Sequence, residues 1–237
     1  MCKFNFILVI CTLGINDVTA TTDVWVTRAR VVNPIPYFSE VMQQFVNELE
    51  KREWCNLKLI DINRNVNTFI ANWNVTGTVT YTNGFVVSIQ AIDLHQVRGT
   101  VHRRNIDNKF YPTATVSGLM SFHDVNIGYD VIANLSGIGE QRYTGEILSN
   151  NIAFTFSIIK DLISKEITVT SSLNLIRGPQ IQMVYRPANH VTEVLSRDFQ
   201  SSDNWNGVRT WVPNFISIIT DIAKNKVDFP NICFNNC

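Results

Sequence analysis

The sequence predicts an α+β fold: a long amino-terminal helix, a long antiparallel sheet and a carboxyl-terminal helix. Three observations carry this expectation. Phe38, Val41, Met42, Phe45, Leu49 and Trp54 recur at near-helical spacing, with Glu40, Gln43, Gln44, Asn47, Glu48 and Glu50 opposite them. That is one apolar stripe on an otherwise polar helix. About 120 residues then alternate apolar with polar, the two-residue period of strands that have one wet face. Trp205, Val208, Trp211, Val212, Phe215, Ile216, Ile219 and Ile222 restore the helical period near the end.

The chain has 237 residues and no net charge. Met1 to Ala20 reads as a secretory signal peptide, with Lys3, an apolar run from Phe4 to Ile15 and a Val18-Thr19-Ala20 ending. An apolar run of about 12 residues is too short to span hydrocarbon, which needs roughly 20. A secreted protein with one domain over 21–237 is expected, without stable membrane insertion. Removing the leader takes away one cation and one anion, Lys3 and Asp17, so the balance stays at zero. Nucleic acid is a poor partner for such a chain, because its recognition rests on clustered positive charge. The basic cluster His102-Arg103-Arg104, near Arg98, reads as a solvated loop; an anionic headgroup or surface contact is the other reading.

Asn33-Pro34-Ile35-Pro36 opens the first helix, since proline is tolerated in a first turn and not inside. After Cys55 the pattern loosens through Asn63, Asn65 and Asn67, then turns to period two at Trp73. Asn83-Gly84 lies between two alternating runs and predicts a hairpin turn. Alternation continues through Phe85-Val87-Ile89-Ala91 and from Leu94 to Val101, with 105–112 read as a loop. Strands are then expected over 113–119, 120–133, 142–148, 151–159, 166–176 and 181–185. Met120 and Phe122 are even while Val125 to Val131 are odd, so a bulge near His123-Asp124 is expected to reconcile the phases and bend the sheet. A short helix follows from Ala188 to Arg197, and the second major helix is kinked or begun at Pro213.

Two sequons, Asn74-Val75-Thr76 and Asn134-Leu135-Ser136, suit a secretory route as glycosylation sites, and both asparagines fall in the polar phase of their strands. Beyond the leader there are three cysteines, Cys55, Cys233 and Cys237. A bridge from Cys55 to Cys233 or Cys237 would close a very long loop, and Cys233 to Cys237 a small ring. Cys55 with Cys233 is preferred, leaving Cys237 free or available for a bridge between chains. No metal site is expected, because the cysteines lack C-x-x-C spacing and His95, His102, His123 and His190 stand apart in sequence. No catalytic residues and no cofactor are expected either: there is no G-x-S-x-G elbow, and Gly137-Ile138-Gly139 is followed by Arg142 where a dinucleotide fingerprint has glycine. His123-Asp124 is the best catalytic pair on offer.

Leu94-His95-Gln96-Val97-Arg98-Gly99, and Phe122-His123-Asp124-Val125 through Tyr129-Asp130, look like successive segments of the group 7 mite allergens. With the order of elements, the chain resembles the tubular lipid-binding (TULIP) superfamily in its one-domain arthropod branches, which also include takeout-like and juvenile hormone-binding proteins. The resemblance implies a long amino-terminal helix wrapped by a strongly curved antiparallel sheet, a super-roll enclosing an apolar tunnel. It also implies a lipid, fatty acid or terpenoid as the carried molecule. The residues expected to line the interior are Phe38, Phe45 and Leu49 on the first helix, Phe85, Ile89, Phe154, Phe156 and Ile158 on strands, and Trp211, Phe215 and Ile219 on the last helix. The same residue types would serve a plain core. Arg98, His102 and Arg104 are candidates to face a carboxylate or phosphate at a mouth. Alternatives are a protein of the same fold with a filled interior, acting through its surface on an extracellular partner or microbial lipid, and a secreted enzyme.

Overall fold

The computed structural model describes residues 29–52, 57–70, 73–106, 109–174, 182–199 and 201–234. A large antiparallel sheet carries helices on one face. Its strands are β2 (Ile62–Ile70), β3 (Trp73–Ser88), β4 (Ala91–Ile106), β5 (Lys109–Leu135), β6 (Gly139–Asp161), β7 (Ile167–Asn174) and β8 (Met183–Arg186). A separate two-residue pairing joins β1 (Arg30–Val31) to β9 (Ile232–Cys233). The helices are α1 (Pro34–Lys51), α2 (His190–Asp198), α3 (Ser201–Arg209) and α4 (Val212–Asn225).

The long ribbon β5–β6 is the spine. One edge of β5 pairs with β4 along its first half and with β3 along its second. The far edge of β6 likewise pairs with β7 over Ala153–Lys160 and with β8 over Thr144–Ile147. Two half-sheets therefore share two strands. α1 and α4 pack on each other, with α1 on β4 and β5 and α4 on β7, while α2 packs on β2 and β8.

The inward row of β5 explains the shared spine. Ala114, Val116, Met120 and Phe122 are buried, then the phase shifts by one and Val125, Ile127, Tyr129, Val131, Ala133 and Leu135 are buried. The shift falls at Asp124, whose φ of 48° is left-handed, where the sequence predicts a bulge. It takes a different form. β6 changes phase in step, from Tyr143 and Ile147 to Ile152, Phe154, Phe156 and Ile158, and His123↔Asn151 and Val125↔Ser149 keep one register. The result is a crease crossing both strands.

Several sequence expectations are corrected. Asn83-Gly84 is no hairpin: β3 runs straight through it with a one-residue bulge, Asn83 at φ 53°. Gly84 is suited to that bulge because a Cβ there would lie 2.4 Å from the Tyr129 ring. The stretch 105–112 is mostly strand, the ends of β4 and β5, and the basic cluster rides on β4 with His102 and Arg103 exposed. The expected strands 113–119 and 120–133 are one, as are 142–148 and 151–159. The second major helix is two, α3 and α4, separated at Thr210-Trp211, with Pro213 in the first turn of α4.

α1 starts at Pro34 as expected and ends at Lys51; Trp54 and Cys55 lie outside the described residues, as does the whole leader. Its buried face is Tyr37, Phe38, Val41, Met42, Phe45, Val46 and Leu49. Lys226, at the end of α4, reaches Glu48 Oε1 at 3.1 Å beside Lys51 at 3.2 Å. These two hydrogen bonds, that from Lys226 first, hold the Glu48 carboxyl below its ordinary value.

Candidate hydrophobic-ligand site

The apolar stripes of α1 and α4 face the inward rows of β5 and β6. Phe45 lies 5.1 Å from Phe215 and 6.1 Å from Phe156, centroid to centroid. Phe215 meets Phe154 at 5.3 Å, and Trp211 meets Phe154 and Phe215 at 6.5 and 6.3 Å. The Trp211 indole Nε1 donates to the carbonyl of Lys58 at 2.9 Å, fixing the start of α4 against the segment before β2. Phe38 is seated over Gly118, where a Cβ would be 2.6 Å from the ring. Gly118 occupies the inward row between Val116 and Met120, and its missing side chain lets α1 approach the sheet.

Of the eleven residues expected to line the interior, Phe38, Phe45, Leu49, Phe154, Phe156, Ile158, Trp211, Phe215 and Ile219 are buried in one apolar cluster, and Ile89 packs against it partly buried. Phe85 does not join them. The Asn83-Gly84 bulge reverses the phase, so Val86 turns inward with no exposure while Phe85 is 39 % exposed. Phe85 instead lines a shallow depression of about 360 Å³ with Lys58, Leu59, Asp61, Asn83 and Gly84. A groove of about 430 Å³ lies between β8 and α2, lined by Met183, Tyr185, Thr192, Ser196 and neighbours.

The second half-sheet has a different interior, rich in tyrosine. Tyr81 and Tyr185 share a hydrogen bond of 2.9 Å between buried hydroxyls, and Phe199 stacks edge-on to Tyr81 at 5.5 Å. Burial, with Tyr81 beside it, pushes the Tyr185 phenol far above its ordinary value, so it stays protonated. Tyr129 donates to the buried Asn204 of α3 at 3.3 Å. Sequence reasoning missed this cluster, since tyrosines at alternate strand positions read as apolar and their hydroxyl partners come from distant elements.

Other expected residues are placed as follows. Asn74 and Asn134 are both exposed, and the hydroxyls of their sequons meet, Thr76 Oγ1 to Ser136 Oγ at 3.2 Å. Cys233 is disulfide-bonded; Cys55 and Cys237 lie outside the described residues. His123 turns toward Asp93, with Nε2 3.0 Å from its Oδ2, and His95 approaches the same oxygen at 3.8 Å. The catalytic pairing with Asp124 is thus replaced by a cluster across two strands. The fold assembles it from positions far apart in sequence; the available signal was Asp93 and His95 two apart on one strand, a spacing that shares a face. Among the described residues no helix is long and apolar enough to cross a membrane.

No family model matches the chain. No curated protein matches it either. Among solved structures, a crystal structure of lipopolysaccharide binding protein matches with a TM-score of 0.41 and 9 % identity, over 84 % of this chain and 40 % of that one. The chain thus spans less than half the length of that protein.

Proposed function

We propose that this chain is a secreted, non-enzymatic binder of an elongated hydrophobic molecule, held between the helices and the inward face of the sheet. The observation that carries the reading is the long buried apolar face of β5, from Ala114 to Phe122 and, after the phase shift at Asp124, from Val125 to Leu135. At about 3.3 Å per residue a 27-residue strand extends about 90 Å, whereas an 18-residue helix covers about 27 Å. Globular strands usually have about 3–10 residues. A face this long must curl, and here it is roofed by α1 with α4 on one half and α2 on the other. An apolar face of this length suits a chain-like ligand. About ten enclosed methylenes would contribute roughly 8 kcal/mol before the cost of association.

The super-roll, with the sheet wrapped about α1, belongs to this proposal, as do the leader over 1–20, glycans on Asn74 and Asn134, and the Cys55–Cys233 bridge. A second reading has its own support. The close ring contacts among Phe45, Phe154, Phe156 and Phe215 favour a packed interior in the α1/α4 half, with the protein acting through its surface on an extracellular partner or microbial lipid.

Titration of the secreted protein with a fluorescent fatty-acid analogue separates the two. Saturable binding displaced by unlabelled fatty acid is expected. A probe that stays in water at all protein concentrations would overturn the carrier reading in favour of the packed one.

A further inference from the structure

We propose that Asp93, His95 and His123 bind a divalent transition-metal ion of borderline softness, represented by Zn²⁺, on the outward face of the sheet at its crease. One ligand atom from each residue lies within 4.8 Å of the other two. Two backbone facts place them. Ile92 and Leu94 are buried, so Asp93 and His95 both point outward from β4. Phe122 is buried, so His123 points outward from β5, one step from the crease and diagonal to Asp93, which pairs with Ser121. Left-handed residues flank the cluster on both strands, Gln96 at φ 52° and Asp124 at φ 48°.

An ordinary ion pair explains the cluster less well. His123 Nε2 is shielded from solvent and lies 3.0 Å from Asp93 Oδ2, yet it makes no hydrogen bond. A histidine that serves only as an ion-pair partner aims its N–H at the oxygen. In a metal site the nitrogen and oxygen lone pairs converge on a point beside the line joining them, so close but unaligned ligand atoms are the expected arrangement. Directly across from His123 on β6, Asn151 has a buried Oδ1 that also lacks a partner. An acceptor there suits the proton of a metal-bound water or of an imidazole.

The ligand set selects the ion. Calcium and magnesium take oxygen ligands, and copper(I) favours sulfur. Two imidazoles and one carboxylate suit zinc, with a position left for water. His95 and His123 are each 32 % exposed and Asp93 23 %, which leaves a path for the ion. Bound there, it would tie β4 to β5 beside the bend.

Cobalt(II), which substitutes for zinc and absorbs in the visible, provides the test on the full secreted chain. The expected result is a saturable d–d spectrum, reversed by Zn²⁺, with affinity reduced more than about tenfold in His95→Ala and in His123→Ala. His190→Ala, remote on α2, should leave it unchanged. Circular dichroism checks folding; if His123→Ala does not fold, the outward His95→Ala decides. No d–d spectrum, or one that survives in the folded histidine variants or carries thiolate charge-transfer bands, would overturn the site.

Discussion

At the residue scale, the bulge at Asn83-Gly84 decides what a whole run of side chains does. Asparagine-glycine is the commonest two-residue hairpin, and the alternation on both sides of it is real. Yet the same left-handed tolerance serves a bulge equally well, and here the chain does not reverse. One inserted residue moves Phe85 and Val87 outward and Val86 inward. Larger apolar side chains are therefore on the wetter face, which the sequence alone would not assign. Val86→Ala is expected to destabilise by about 1–3 kcal/mol, since it empties a closed site, whereas Phe85→Ala should cost under about 1 kcal/mol. Chemical denaturation of the two variants checks the phase; a larger loss at Phe85 would mean that β3 is registered as a hairpin arm.

At the element scale, the contact of α1 with β5 rests on shape as much as on apolar area. Phe38 is completely buried over Gly118, and a methyl group there must displace an aromatic ring hemmed in by the core. Gly118→Ala is expected to cost about 1–3 kcal/mol by overpacking, measured as a lower denaturation midpoint; unchanged stability would show that α1 is loosely seated. Both helix stripes and most strands were legible in sequence because each has one wet face, and the even-to-odd shift between Phe122 and Val125 located the crease. β2 was not legible: its inward positions Ile62 and Val66 alternate with Arg64 and Thr68, and asparagines occupy the other face. The Thr210-Trp211 break was hidden by the apolar stripe running through it, although Pro213 marked the start of α4 within two residues. Of the expected lining, Phe85 failed because the bulge at Asn83-Gly84 reverses the phase through Val87, before a second register shift between Val86 and Ser88. The Asp93–His95–His123 cluster escaped because a diagonal contact between neighbouring strands leaves no short motif.

At the scale of the whole molecule, two half-sheets with unlike interiors share one ribbon. The α1/α4 half is phenylalanine-rich and the α2 half is lined by hydrogen-bonded tyrosines. Under the proposed function, an amphipathic ligand would lay its hydrocarbon portion toward the phenylalanine-rich half and its polar portion toward the tyrosines. The proposed metal tie lies on the opposite face, at the bend between the halves. The central claim is that the interior holds a hydrophobic molecule, and native mass spectrometry of the protein purified without detergent, followed by organic extraction, tests it most directly. A near-stoichiometric mass increment is expected, released on denaturation and recovered as lipid or terpenoid. A protein that flies at its bare covalent mass, and still does so after incubation with fatty acids, would contradict it.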